Sequence, residues 1–373
     1  MTADPLQPSA SPPPVRPRRF RSKRARLGLA VGSLVLSLAV AEAVFRLAGI
    51  RGQYDPPRAD AAVPGPDGII ERVPYGFVPG ATVVTRYGSD PRGYFGPHCL
   101  IAHEFNAAGW RDREHDLAKA PDTYRILGLG DSYLYGQGVR QADVCLARLE
   151  TLLQDAVPDR RIECINTGMS GFNTADERDL LVHRGLAYEP DLVIVHFVLN
   201  DVEPDVYRPG PKVEFYSEYV GIYQQPDALS RWSYLWSWAR QRYLRHVEAR
   251  RYIRACVASF SEDSPKWAQC RDALNDIQRI CAAADVPLLV VIFPFFVDLD
   301  GEYPFEPVHE VVRRHCESQA IPVLDLHGAY REYHGPELWV HPTDQHPNEI
   351  AHRIAAESIA AFVLSRAESF ALR

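Results

Sequence analysis

Four short segments hold the side chains able to do chemistry, and they lie far apart in the chain: Gly130-Asp131-Ser132, residues 166–174 (NTGMSGFNT), Asn200-Asp201, and residues 341–352 (HPTDQHPNEIAH). Together they supply a hydroxyl, glycine N–H groups, a side-chain amide and an Asp–His pair, the inventory for acyl transfer through a serine. Asp344 and His346 are two residues apart, so in an extended segment they point to the same side. The carboxylate can then take one ring nitrogen, fix the tautomer and stabilise the imidazolium, leaving the other nitrogen for Ser132. Negative charge developing on an attacked carbonyl oxygen would be met by the N–H groups of Ser132 and Gly171 and by the Asn200 amide.

Each part also has a plainer reading. Ser132 is a good helix N-cap, Gly168 and Gly171 suit ordinary turns, Asn200-Asp201 can end a strand, and Pro347 fits the start of a helix. Ser170 is a rival hydroxyl without the strand-to-turn setting of Ser132. His341 and His352 are given no role. Only the coincidence of all four segments at strand ends favours chemistry.

The surrounding pattern supplies those strand ends. From Arg125 onward, apolar runs alternate with helical periodicity: YRILGLG, RIECINTG, DLVIVHFVLND, PLLVVIFPF and IPVLDL read as five buried strands. Helical patterns separate them, and a last amphipathic helix (residues 348–367) closes the chain. Such alternation predicts a parallel sheet covered on both faces, with a site beyond the carboxyl ends of the strands. Residues 202–260 interrupt the alternation with an aromatic and basic stretch, including RWSYLWSWARQRYLRH. They are expected to form helices over the strand ends, most of the aromatics serving packing.

The chain has 373 residues and a formal net charge of −7. Residues 1–28 carry seven basic side chains against one acid, Asp4, a local +6 that leaves −13 on the rest. An acidic body argues against a nucleic-acid partner. The basic run reads as a disordered cytoplasmic tail (1–26) before an apolar segment (27–50) uncharged up to Ala41. That segment reads as an uncleaved transmembrane anchor with the body outside the cytoplasm, with a signal peptide cut near AVAEA as the competing reading. Residues 51–120 are expected to be linker and irregular lead-in, and 121–373 the folded domain. Seven cysteines fit export, with Cys256 and Cys270 the best candidates for a bridge. There is no C-x-x-C pair, and neither metal nor cofactor is called for.

The segments GDS (130–132), NTGMSG with Gly171, ND (200–201) and DQHPN (344–348) resemble, in order and spread, the four blocks of the SGNH/GDSL hydrolase family over residues 125–365. FNAAGWRDRE (105–114) is similar to the lead-in of many bacterial members. The resemblance implies a flavodoxin-like three-layer α/β/α sandwich, Ser132 as nucleophile, His346 as base, and Gly171 and Asn200 as oxyanion donors. Two departures stand out. Val198 occupies the usual glycine of the third block, and the last block is Asp-x-His rather than Asp-x-x-His. The shorter form resembles a membrane-associated branch acting on polysaccharide acyl groups. The reading implied is a serine esterase for carbohydrate O-acetyl esters. An O-acyltransferase and a non-catalytic glycan-binding module are the alternatives.

Overall fold

Every residue of Leu192–Val198 and of Leu288–Phe293 is buried, as a strand covered on both faces requires. The computed structural model describes residues 23–50, 58–61, 72–203 and 227–372. The basic tail up to residue 22 and residues 204–226 of the insertion lie outside the described residues. The chain divides into two units: Met1–Gln53 with Gln225–Tyr243, and Tyr54–Gln224 with Leu244–Arg373.

The larger unit is built on a five-stranded parallel sheet. In chain order its strands are Thr123–Gly130, Arg161–Asn166, Leu192–Val198, Leu288–Phe293 and Val323–Asp325, and their spatial order is fifth, fourth, third, first, second. This is the flavodoxin-like order. The first and third strands lie side by side, with Gly130 paired to His196, while their connections run to opposite edges. The chain therefore opens a crevice between the carboxyl ends of these two strands. Helix Cys145–Ala156 packs with Glu349–Ser365, and Thr174–His183 with Pro265–Ala283, giving the outer layers.

The caps are local and legible. The Asn348 side chain accepts the N–H groups of Ile350 and Ala351, so the last helix starts after Pro347. Asn173 and Asp176 form a capping box at Thr174–His183.

Two expectations change. The lead-in is not mere linker: Thr82–Arg86 is the central strand of an antiparallel sheet with Arg58–Ala61 and Leu100–Glu104. Its TVVTR sequence is β-branched and alternates, with Val83 and Thr85 buried. The glycines and prolines that suggested a linker lie mostly outside these strands. The Cys256–Cys270 bridge also does not form, and all seven cysteines are free. The two sulfurs face different neighbours: Cys256 Sγ lies 4.0 Å from the Leu199 carbonyl, and Cys270 Sγ 3.4 Å from Thr174 Oγ1.

The later part of helix Tyr234–Ser259 sets Tyr252 against Phe295, and Phe260, just after it, meets Phe197. The smaller unit contains the apolar helix Lys23–Leu47, the short helix Ala228–Trp232 and the start of Tyr234–Ser259. Lys23–Leu47 is long and apolar enough to cross a membrane, and none of its most apolar window is buried.

Candidate active site

The first strand ends at Gly130, and the chain turns at once into a one-turn helix, Ser132–Tyr135. Asp131 caps it, its Oδ1 accepting the Tyr133 N–H at 2.8 Å. Gly136 ends it at φ 76, a left-handed conformation that glycine adopts without a Cβ penalty. Gly138, at φ 74, answers a second need. A Cβ there would collide with the Tyr87 hydroxyl and with Val340.

Across the crevice, Trp339–His341 and Asp344–Pro347 form a small antiparallel pair. Because Asp344–Pro347 is extended, Asp344 and His346 face the same way. His346 Nδ1 lies 2.5 Å from Asp344 Oδ1, and His346 Nε2 lies 3.0 Å from Ser132 Oγ. With Asp344 ionised, Nδ1 carries the proton and Nε2 is left to accept from the Ser132 hydroxyl. Ser132 is buried, whereas 31% of the His346 side chain remains exposed. The other two histidines hold structure. His352 Nδ1 accepts the Cys145 N–H, and burial pushes its pKa down to about 3. His341 meets Ser89 and Thr343.

The electrostatics of the pair are opposed and coupled. Desolvation works against the His346 imidazolium, but the Asp344 carboxylate outweighs it and holds the ring above its ordinary value. Burial likewise disfavours ionised Asp344, yet the His346 charge and hydrogen bonds from His346 and Tyr87 hold its carboxyl below the usual range. Tyr87 donates to Asp344 Oδ2 at 2.8 Å, so each carboxylate oxygen has a partner.

Asn200 follows the third strand and reaches the same crevice. Its Nδ2 donates to Asp131 Oδ2 at 2.9 Å, and the second amide hydrogen has no partner among the described residues. The 166–171 loop runs alongside the first strand, with Thr167 and Met169 N–H donating to the Gly128 and Gly130 carbonyls. Asn166 Nδ2 donates to the Leu134 carbonyl, tying this loop to the Ser132 helix. Gly171 follows two residues after Met169, at φ 82. Among the described residues, no backbone hydrogen bond joins it to Ser132, His346, Asp344 or Asn200. Val198 is fully buried in the core, and Asp201 folds back to accept its N–H.

Beneath Asn200 lies a buried acidic group. Burial pushes the Glu177, Asp201 and Asp131 carboxyls up; for Glu177 and Asp201 the charge of neighbouring carboxylates adds to it. Neither oxygen of Glu177 has a hydrogen-bond partner among the described residues.

Sequence reasoning missed the residues that hold the site from the lead-in. Tyr87 carries no motif; only the alternation of TVVTR before it hinted at a strand. Arg111 lies within FNAAGWRDRE and is 1% exposed. Its guanidinium donates to the carbonyls of Tyr135, Gly136 and Val139, the turn that follows Ser132. Asp112 accepts the Asn166 N–H at 2.6 Å, and His103 Nδ1 lies 2.9 Å from the Tyr135 hydroxyl.

A model of the GDSL-like lipase/acylhydrolase family matches residues 129–354. The chain belongs to that family. As a GDSL-like member it is an ester-hydrolysing enzyme. No match is found among curated proteins. Among solved structures, the GDSL-like chain is similar to a two-domain esterase active on acetylated mannans, at 14% identity and TM-score 0.41, covering 65% of this chain and 49% of that one. It thus spans about half of that relative's length. A lipase/acylhydrolase from Enterococcus faecalis matches at 17% identity and TM-score 0.40, covering 65% of this chain and 96% of that one. An acetylxylan esterase from Geobacillus stearothermophilus matches at 15% identity and TM-score 0.42, covering 64% of this chain and 93% of that one.

Proposed function

We propose that this enzyme is a serine esterase in which Ser132 is the nucleophile, His346 the general base and Asp344 the residue that orients it. The observation that carries the reading is the continuous chain Ser132 Oγ–His346 Nε2, His346 Nδ1–Asp344. Ser132 Oγ attacks the ester carbonyl carbon while Nε2 takes its proton. The tetrahedral oxyanion is stabilised by the N–H groups of Ser132 and Gly171 and by the free amide hydrogen of Asn200. The imidazolium then protonates the departing alcohol, leaving an acyl-enzyme, and water repeats the cycle to release the acid.

The substrate class is an O-acetyl ester on a carbohydrate, a reading supported by the resemblance of the Asp-x-His block to the polysaccharide-acting branch. Lys23–Leu47 is the transmembrane anchor, with the basic tail cytoplasmic and the larger folded unit outside. The density of positive charge before the span supports that orientation.

The test is labelling of the full chain by a fluorophosphonate, followed by acetate release from acetylated glycans with and without an acceptor sugar. Labelling lost in Ser132→Ala and strongly reduced in His346→Ala supports the mechanism; labelling that survives in Ser132→Ala refutes it. Acetate release to water supports the hydrolase. Transfer of acetyl to the acceptor with no free acetate would overturn it in favour of a transferase.

A further inference from the structure

Glu42 is the first charge to interrupt the apolar helix. It follows fifteen uncharged residues, 27–41, which span about 22 Å at 1.5 Å per residue. That is short of a hydrocarbon core of about 30 Å, so Glu42 sits at the far boundary only if flanking basic side chains snorkel at the other end. Its carboxylate is not left bare. It accepts the Ser233 hydroxyl at 2.7 Å and the N–H groups of Tyr234 and Leu235 at 3.0 Å each, the opening donors of helix Tyr234–Ser259. Arg46, one turn on, pairs with Glu42, donates to the Trp232 carbonyl and lies 5.2 Å above the Tyr234 ring. Phe45 meets Trp238 edge-on at 5.3 Å. The end of the apolar helix and residues 232–238 are thereby tied together.

Beside this junction several large side chains are exposed, although Tyr234 and Trp238 are half-buried. Trp232 is 79% exposed, Tyr243 67%, Leu229 60% and Trp236 45%. Soluble surfaces seldom spend so many large apolar groups on water. Trp and Tyr are the residues enriched at the headgroup level of membrane proteins, where an apolar ring and a polar N–H or O–H are both satisfied. Arg231 and Arg242 are exposed beside them, a charge complement for lipid phosphates.

We propose that residues 228–243 form an aromatic collar lying in the phospholipid headgroup layer at the far end of the span, clamped there by Glu42. The collar rests on reading Lys23–Leu47 as a transmembrane anchor. It gives the aromatic insertion a partner, the bilayer surface, and gives the charge in the apolar helix a purpose. The anchor end and the collar enter the interface as one piece, since Glu42 loses water only as it gains helix N–H donors.

The experiment reconstitutes the full chain in phosphatidylcholine–phosphatidylglycerol vesicles containing lipids brominated at shallow or deep acyl positions, and reads tryptophan fluorescence. Of the other four tryptophans, Trp110 and Trp267 are buried in the larger unit, Trp238, which packs on Phe45 within the collar, is replaced by phenylalanine in every chain compared, and Trp339→Phe serves as a control. Shallow bromines are expected to quench about twofold more than deep ones. Trp232→Phe/Trp236→Phe should remove most of that quenching, and Trp339→Phe should not. Glu42→Ala should lower the shallow quenching while the chain still floats with vesicles. Vesicle flotation separates the two readings. A chain that does not float refutes the anchor and the collar together. A chain that floats but whose quenching is unchanged in the double variant refutes the collar alone.

Discussion

Replacing Tyr87 by phenylalanine removes one oxygen from a residue that never meets substrate, since Tyr87 is 2% exposed. The lost oxygen donates to Asp344 Oδ2 at 2.8 Å. A hydrogen bond to a charged, buried acceptor is worth about 1.5–3 kcal/mol. The Tyr87→Phe variant would leave that carboxylate oxygen desolvated and unmet, and a fall of about 2 kcal/mol in unfolding free energy is expected by urea titration. Catalysis should suffer through His346. The acid that holds the ring would be anchored on one oxygen only, and a loss of about 1.4 kcal/mol in the transition state is about tenfold in kcat. KM should hardly move, because nothing that touches substrate has changed. The pH profile is the discriminating readout. His346 must be neutral to act as base, so activity rises with pH through its pKa, which Asp344 already holds above 6.5. Without the tyrosine proton, more of the Asp344 charge acts on the imidazolium, and the ascending limb should move to still higher pH. Hydrolysis of an activated acetate ester from about pH 5 to about pH 9, a range that brackets the ordinary histidine value, gives both quantities. Wild-type kcat with an unmoved limb in a folded Tyr87→Phe would refute the argument.

Asn200→Ala should cost about 10²–10³ in kcat with a smaller effect on KM, measured on the same ester. Glu177→Gln should raise stability, and more at about pH 8 than at about pH 5. The folded-state pKa of this acid is raised by burial, so folding keeps a proton that the unfolded chain releases, and stability is lost as pH rises. For the Asp344–His346 pair the signs differ. Lowered Asp344 contributes above about pH 3.9 and loses its contribution as pH falls; raised His346 contributes below about pH 6.5 and loses it as pH rises through the folded value. Urea midpoints of His346→Ala should therefore fall furthest below wild type between those limits. A thiol reagent should find one accessible group, Cys99, in the native protein and the remaining six only after unfolding, since burial pushes Cys145, Cys256, Cys281 and Cys316 up to about 12 and holds Cys164 and Cys270 well above the ordinary thiol.

The five strands were legible because both faces are covered, so apolar residues run unbroken through Leu192–Val198 and Leu288–Phe293. The Asp344–His346 geometry was legible for a different reason: a two-residue spacing has one simple outcome once the segment is extended. The lead-in was not. Its strands are only five residues long, at Thr82–Arg86 and Leu100–Glu104, and lie between turn-rich stretches whose composition dominates any window. Its partners are non-local, with Tyr87 and Asp344 257 positions apart. The bridge between Cys256 and Cys270 failed because a polar loop between two cysteines says nothing of which way their helices turn. The link between Glu42 and Ser233, 191 positions apart, leaves no trace in either segment.

The close fit of Gly138 against the Tyr87 hydroxyl makes these two positions a single heritable character. A side chain at 138 would evict the hydroxyl, and a smaller residue at 87 would leave only Val340 and the positive φ to demand glycine at 138. Among descendants of this gene the two sites should therefore change in concert, one lineage keeping tyrosine with glycine and another abandoning both.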